Sequence, residues 1–336
     1  MKRKLCITVL LAVLLAVGSE PASAKELVIG TIGLTGDTYQ MAIAWSNLIL
    51  KKGGDLKLTP VEGGGTNKMM RSIAAGRMDI GFIGAPHYRD AVDKTGGFKE
   101  EPDDMVAKYK TMQTLFAIQT GGAQYVTRMD SNIKTMTDFK GKKVAIGAPG
   151  GNMGRVSTML FKLYGLDAEK GDIKAQYLEY GAALEALGNN QLDVVAVWGG
   201  VPQSGVYNAS RANKLRFVSP DAAKLPGFQK ALTNGDYYVF REVSPADIKA
   251  AYGDAVAGDA PMRLWTFPMM VIVNKGMPKD TAYALVKEFW EQIAEVKASS
   301  NTLSLLDPKV ALENVSAEVH PGAARYFQEK GLLKAK

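Results

Sequence analysis

LVIGTIGLTGDTY (27–39) sets a short apolar strand directly before a turn rich in glycine and threonine, and the turn runs into a helix. The helix pattern starts at Asp37 or Thr38 and puts Met41, Ala44, Trp45, Leu48 and Ile49 on one face until Gly53-Gly54 stops it. Leu56 to Val61 alternates as a strand, and the loop EGGGT (62–66) ends on Thr66, which can cap a helix carrying Met69, Met70, Ile73 and Ala74. Gly76 closes that helix, and Asp79 opens the strand DIGFIG. The same order returns from Lys143. KVAIG (143–147) leads into the turn APGG (148–151), then a helix from about Asn152 with Val156, Met159, Leu160 and Leu163 on one face. A strand over 174–178, a helix through Leu184 and Leu187, and the strand DVVAVW complete the second pass. Gly30 and Gly147 are 117 residues apart, and Asp79 and Asp193 are 114 apart. Any α/β chain repeats strand, loop and helix. Two related lobes are indicated because equivalent glycine-rich loops follow equivalent strands.

MQTLFAIQTGGAQYVT (112–127) reads as two strands split by Gly121-Gly122 and carries the chain from one lobe to the next. PMMVIVN (268–274) and a long helix from about Lys279 to Ala298 rejoin the first lobe, with Leu285, Val286, Phe289, Trp290, Ile293 and Val296 as the buried stripe. The expected division is 25–120 for the first part of lobe 1, 121–235 for lobe 2, and 236–336 for the return to lobe 1 and the C-terminal helices. In open α/β sheets, ligands bind beyond the carboxyl ends of strands. That marks the loops 33–39, 62–67, 84–87, 147–152 and 198–203, and a cleft between two lobes joined by crossover hinge segments.

Composition narrows the function. The chain has 336 residues, 46% hydrophobic and 22% charged, which fits a globular protein of about two domains. Lys2, Arg3 and Lys4, the apolar stretch Leu5 to Val17, and Ala22-Ser23-Ala24 together read as a signal peptide over 1–24, cleaved near Ala24. The only cysteine, Cys6, lies in that leader, so the mature chain of about 312 residues is expected to be thiol-free. The leader carries three basic residues and Glu20, so the net charge of +7 falls to about +5 on the exported protein. Two histidines, His87 and His320, are too few for a multi-histidine metal site, and no cofactor is expected. HExxH, GxSxG and a P-loop ending are absent, which disfavours an enzyme. Dispersed lysines and export disfavour nucleic acid. Glu100-Glu101 and Asp103-Asp104 read as a solvated loop.

Five stretches carry a family resemblance: IGTIGLTGDTY (29–39), Gly65-Thr66 followed by GRMDIGF (76–82), FKGKKVAIGAPGG (139–151), LDVVAVWGGVP (192–202) and HPGAARYFQEKGL (320–332). The chain resembles the TAXI group of solute receptors serving tripartite ATP-independent periplasmic (TRAP) transporters, and the HPGA-x-RY ending is the most specific element. The resemblance implies a type II periplasmic-binding-protein fold, and together with the leader it gives an expected periplasmic receptor, read as a monomer. It also implies capture of a small organic anion or amino acid and delivery to membrane subunits driven by an ion gradient. A receptor for another transporter or for a sensor kinase, and a periplasmic enzyme or chaperone, stand as alternatives.

Carried over residue by residue, the resemblance is mixed. Thr38 and Tyr39 match the family's Gly-Thr-Tyr, with Asp37 where glycine is usual. Thr66 matches the serine of a Gly-Ser turn, but the expected asparagine falls on Met69, leaving Asn67 as a substitute. Gly84-Ala85-Pro86 and then His87 replace Gln-x-Asp, and Gly150 matches while Gly151 and Asn152 stand at the serine and the position after it. Trp198-Gly199-Gly200-Val201-Pro202 follows the family's Gly-Gly-x-Pro. These departures point to a ligand bulkier or less polar than dicarboxylates and glutamate-like molecules. In the resulting picture, backbone N–H groups around Thr35, Gly65 and Gly150 hold a carboxylate while Tyr39, His87 and Trp198 shape the pocket. Tyr39, Trp198 and Tyr238 either line the ligand or pack at the lobe interface, and His87, at a strand end in the cleft, either contacts the ligand, making binding pH-sensitive, or serves a structural role. Trp45, Trp265 and Trp290 are expected in the core, His320 at a helix start, and Asp79 and Asp193 at turns.

Overall fold

The computed structural model describes residues 25–31, 37–118, 121–147, 152–257, 260–299, 303 and 306–334. The chain first lays down β1 (Lys25–Thr31), α1 (Asp37–Lys52), β2 (Leu56–Glu62), α2 (Thr66–Ala74), β3 (Ile80–Gly84), α3 (Ala85–Val92), α4 (Asp103–Tyr109) and β4 (Met112–Ile118). It crosses into β5 (Gly122–Arg128), β6 (Lys143–Ala145), α5 (Asn152–Lys162), β7 (Lys174–Gln176), α6 (Tyr180–Gly188), β8 (Val194–Gly199), α7 (Ser204–Ser210) and β9 (Leu215–Val218). There follow α8 (Leu225–Ala231), β10 (Val239–Val243), α9 (Pro245–Tyr252), β11 (Val256–Ala257) and β12 (Met262–Thr266). The return consists of β13 (Met269–Asn274), α10 (Lys279–Glu291), α11 (Ile293–Ala298), β14 (Glu318–Val319) and α12 (Pro321–Glu329).

Two sheets result, one per lobe, in the two-lobed α/β arrangement expected. The first has the order β14-β4-β13-β3-β1-β2, and the main path of the second is β10-β12-β5-β8-β6-β7. The parallel triplet β2-β1-β3 is repeated as β7-β6-β8, and the next strand in each case, β13 or β5, is antiparallel and has just arrived from the other lobe. Asp79 and Asp193 do the same work in both lobes. Asp79 Oδ2 accepts from Val28 N at 2.8 Å and Asp193 Oδ2 accepts from Lys143 N at 2.8 Å, tying the end of each second helix–strand turn to the first strand. Replacing either aspartate by alanine is expected to cost about 1–2 kcal/mol, with additive losses in the double variant because the sites lie in different sheets. Urea unfolding checks this, and a double variant no worse than either single one would overturn the duplicate role.

Three local expectations change. β10 and β12 pair in the second sheet, so strands after residue 235 remain with lobe 2 and the chain re-enters the first sheet at Met269, not near 236. The long C-terminal helix is broken at Gln292 (φ −107°, ψ 24°) into α10 and α11. Glu101 is buried and paired twice over with Arg71, Nε at 3.0 Å and Nη2 at 2.8 Å from Oε2, and Asp103 and Asp104 open α4. The Arg71 guanidinium holds the Glu101 carboxyl below its ordinary range.

Packing explains the rest. Trp45 of α1 sits edge-on to Phe289 of α10 at 5.2 Å and donates Nε1–H to Leu285 O at 3.2 Å, so the returning helix seals the first lobe. Trp45, Trp265 and Trp290 are all buried. At the C-terminus His320 caps α12: Nδ1 accepts from Gly322 N at 3.1 Å, and Nε2, 3.0 Å from Met277 O, is therefore the protonated nitrogen. Pro321 takes the first helical position, and a Cβ on Gly322 would stand 2.1 Å from Lys279 O. The HPGA motif is thus a cap followed by a close helix–helix approach, as its histidine's expected structural role required.

Candidate functional site

The carboxyl ends of β1, β2 and β3 face the same region as those of β6 and β8, and the crossovers run between them. Phe267 and Pro268 link β12 to β13, and Pro268 O accepts from Ala85 N at 2.9 Å, which ties the second crossover to the start of α3. The first crossover, around Gly121, passes against Gly199 of β8. Thr266 Oγ1 donates to Gly121 O at 2.8 Å, so the two crossovers are also bonded to each other.

An aromatic floor lies at this junction. Phe267 packs against His87 of lobe 1 (5.2 Å, edge-on) and against Trp198 and Tyr238 of lobe 2 (5.1 and 5.5 Å). Trp265, Tyr238 and Phe267 are buried, whereas Trp198 and His87 keep part of their surface open. Behind the floor Tyr125 OH accepts from Trp265 Nε1 at 2.8 Å and is 2.9 Å from Ser157 Oγ, a buried chain that fixes the indole.

The residues expected to bind are distributed as follows. Thr38 is buried at the start of α1 and Tyr39 is half-buried beside it. Gly65, with φ +90°, occupies the cap position of α2 without a side-chain bond, so Thr66 is the first helical residue and not the cap. Gly65, Thr66 and Asn67 are half-buried, and Asn67 leans toward Gly97. Met69 is fully buried: its side chain fills the space left by Gly30, Gly63 and Gly81, and Phe82 N approaches its sulfur at 3.2 Å. It therefore underlies the loops instead of entering the cleft. Asn152 begins α5, and its Oδ1 accepts from Arg155 Nη2 at 2.8 Å. Gly199 and Gly200 are buried, their carbonyls both held by Gln124 Nε2 at 2.7 and 2.9 Å, and Pro202 follows half-exposed. Thr35, Gly150 and Gly151 lie outside the described residues. A cavity of about 140 Å³ lined by Lys25, Met78, Asp79 and Asn274 opens at the opposite end of β1 and takes no part in the cleft.

His87 is strongly perturbed by burial. Its Nδ1 is buried without a hydrogen-bond partner, and burial pushes the imidazole down to about 4, Asp90 pulling it up and Arg155 pushing it further down. At neutral pH the ring is uncharged. One turn along α3, Asp90 accepts from Thr95 Oγ1 at 2.7 Å and, across the cleft, from Asn234 Nδ2 at 2.8 Å. Tyr238, its phenol pushed up by burial, lies within reach of Arg155 and Asn152. The seam therefore joins His87 and Asp90 of lobe 1 to Asn152, Arg155, Asn234 and Tyr238 of lobe 2.

Arg155, Asp90, Asn234 and Phe267 were not identified by reading loops alone. Arg155 had a legible signal, a cation one turn into the helix that follows a glycine turn. Asp90 had another, spaced three residues from His87 on one helix face. The contact with Asn234 is 144 residues long-range and leaves no local trace.

The fold is similar to that of several solved binding proteins. They include the periplasmic aliphatic sulphonate binding protein SsuA from Escherichia coli (16% identity, 92% of this chain and 79% of that one, TM-score 0.47). The alkanesulfonate-binding protein SsuA from Xanthomonas axonopodis pv. citri is similar at 15% identity (94% and 96%, TM-score 0.44). So is the sugar acid binding protein DctPAm from Advenella mimigardefordensis, at 11% identity (93% and 86%, TM-score 0.44). The sequence profile of the NMT1-like family matches residues 29–331, which takes in both sheets and the C-terminal cap, and the chain belongs to that family.

Proposed function

We propose that this protein is a solute receptor that captures a small organic anion by closing its two lobes and hands it to a membrane transporter. The observation that carries the reading is the seam itself. Side chains of both lobes converge on one place, over a floor supplied by a crossover, so a ligand held there is felt by both lobes and biases their closure. The leader-like 1–24 segment supports export to the periplasm, and the HPGA-x-RY ending supports TRAP membrane subunits as the partner. The backbone N–H groups around Thr35, Gly65 and Gly150, with Thr38, Tyr39, Thr66, Asn67, His87, Asn152, Trp198 and the Gly199-Gly200 turn, form the site in this proposal.

Thermal-shift screening of the exported chain against organic acids, amino acids and sulfonates is the test. Ligand at about a hundred times Kd adds about 2.7 kcal/mol to the folded state, a shift of several degrees for a chain of this size. If no small molecule raises the melting temperature and a turnover assay is positive, the receptor reading fails. Uptake in vesicles driven by an ion gradient without ATP supports TRAP subunits, and strict ATP dependence would assign the receptor to a different transporter.

A further inference from the structure

The seam holds a cation whose hydrogen-bonding partners, among the described residues, are neutral. Arg155 is exposed, engages Asn152 Oδ1 at 2.8 Å and lies near the Tyr238 phenol. On the lobe 1 side of the seam His87 is half-buried, with Nδ1 sealed between Gly84 and Phe267 and without a partner. Any ligand contact of that ring therefore falls to Nε2. Protonating Nε2 leaves a lone pair at the sealed Nδ1, whereas the other tautomer would strand an N–H there, and a stranded N–H is the rarer and costlier of the two. Nε2 is then a neutral donor in a seam that also holds the Arg155 cation and the Asp90 carboxylate, the latter already accepting from Thr95 and Asn234. Two oxygens of one carboxylate suit Nε2 and the Arg155 cation.

The third element is Trp198. Its ring packs edge-on against Trp265 at 5.2 Å and tilted against Phe267 at 5.1 Å, yet remains only half-buried. It is a plane held from behind with surface left open, and such a plane binds another ring at little entropic cost. The direct β3–α3 junction adds no polar side chain before His87, since it reads Gly84-Ala85-Pro86, and Met69 is withdrawn into the core.

We propose that the ligand is an aromatic carboxylate, its carboxylate held between Arg155 and His87 and its ring lying on Trp198. This rests on the receptor reading above and names its substrate class. Arg155, absent from the expected site, becomes a specificity-determining residue.

The test is calorimetric titration and thermal shift of the exported chain with benzoate, 4-hydroxybenzoate and phenylacetate. Cyclohexanecarboxylate serves as the saturated-ring probe, with succinate and L-glutamate as aliphatic ones. Aromatic acids are expected to bind about ten-fold more tightly than cyclohexanecarboxylate. Arg155→Met should weaken them about thirty-fold and Arg155→Lys less, because lysine keeps the charge and loses the planar fork. Trp198→Phe should retain most of the affinity that Trp198→Ala loses, and the melting temperature of each unliganded variant shows whether it folds. Binding of succinate or glutamate but none of the aromatic acids would overturn this inference and leave the receptor reading intact. Aromatic acids that bind Arg155→Met and Trp198→Ala as well as the parent would overturn the placement. If no acid, amino acid or sulfonate binds, the receptor reading falls and this inference with it.

Discussion

Alanine at position 121 is expected to lower the stability of the protein by about 3 kcal/mol, the upper end for a side chain forced into filled space, and to weaken ligand capture with it. A Cβ on Gly121 would stand 1.7 Å from Gly199 O, 1.8 Å from Gly199 C and 2.2 Å from Gly200 N. All three are backbone atoms, so no rotamer change relieves the overlap. The glycine loop cannot retreat freely either. Gln124 Nε2 holds both of its carbonyls, Gly122 is registered opposite Gly199 in the β5–β8 ladder, and Thr266 pins Gly121 O. The displacement must therefore reach Trp198, one residue before Gly199, which is why binding should fall along with stability. Gly181→Ala is the matched control. It lies in the first turn of α6 with nothing within 4 Å of a new Cβ, so alanine there should be neutral or stabilise by up to about 1 kcal/mol. Urea midpoints and titration of any ligand found by screening read both effects. A Gly121→Ala protein with the parent's midpoint would show that the crossover and the glycine loop do not press together as described.

The tandem strand–helix passes were legible because buried parallel strands are short apolar runs, and glycine marks where each helix stops. Asp79 and Asp193 stood out by position, and both prove to bond the first strand of their lobe. The lobe boundary was not legible. VFREV (239–243) is a half-exposed strand whose place is set by antiparallel pairing with 262–266, a contact made across an intervening helix and strand. Counting residues from a turn placed Met69 where a polar ligand contact was expected. The side chain is instead drawn under the loops because Gly30, Gly63 and Gly81 leave a void of its shape, a fact about three separate segments that no one of them reveals. Glu101 misled for the same reason, since its partner Arg71 lies on α2, thirty residues earlier. In the seam, single residues such as His87 and Trp198 could be nominated from strand ends. Their partners across the lobes could not, because Asp90 and Asn234 meet only when both sheets are built.

Acidification from neutral pH is expected to destabilise the protein before its carboxylates titrate, and His87 should carry the larger share. Burial pushes its imidazole from 6.5 to about 4, and burial also pushes His320 below its ordinary value. A folded value below the unfolded one means that the unfolded chain binds more protons in between. Stability is therefore complete above about 6.5, declines as the pH falls from about 6.5 toward about 4, and levels off below that for this group. The full shift is worth up to about 3 kcal/mol, an upper bound because one edge of the ring meets solvent. Nearby charges act in opposite senses: Asp90 favours the imidazolium and Arg155 opposes it, so neither cancels burial. The carboxylates held low by partners, such as Glu101 with Arg71 and Asp138 with its backbone donors, lose their contribution only at lower pH, which separates the two effects. Urea midpoints between neutral pH and about 5 isolate the histidine window. His87→Gln, which cannot charge, should flatten most of the slope, and the remainder should belong to His320, whose Nδ1 must stay unprotonated to cap α12. Parallel curves for the parent and His87→Gln would mean that the buried ring does not govern acid sensitivity. A steeper decline in the parent means that protonating His87 costs the packing of the seam, because the new proton at Nδ1 would have no acceptor there.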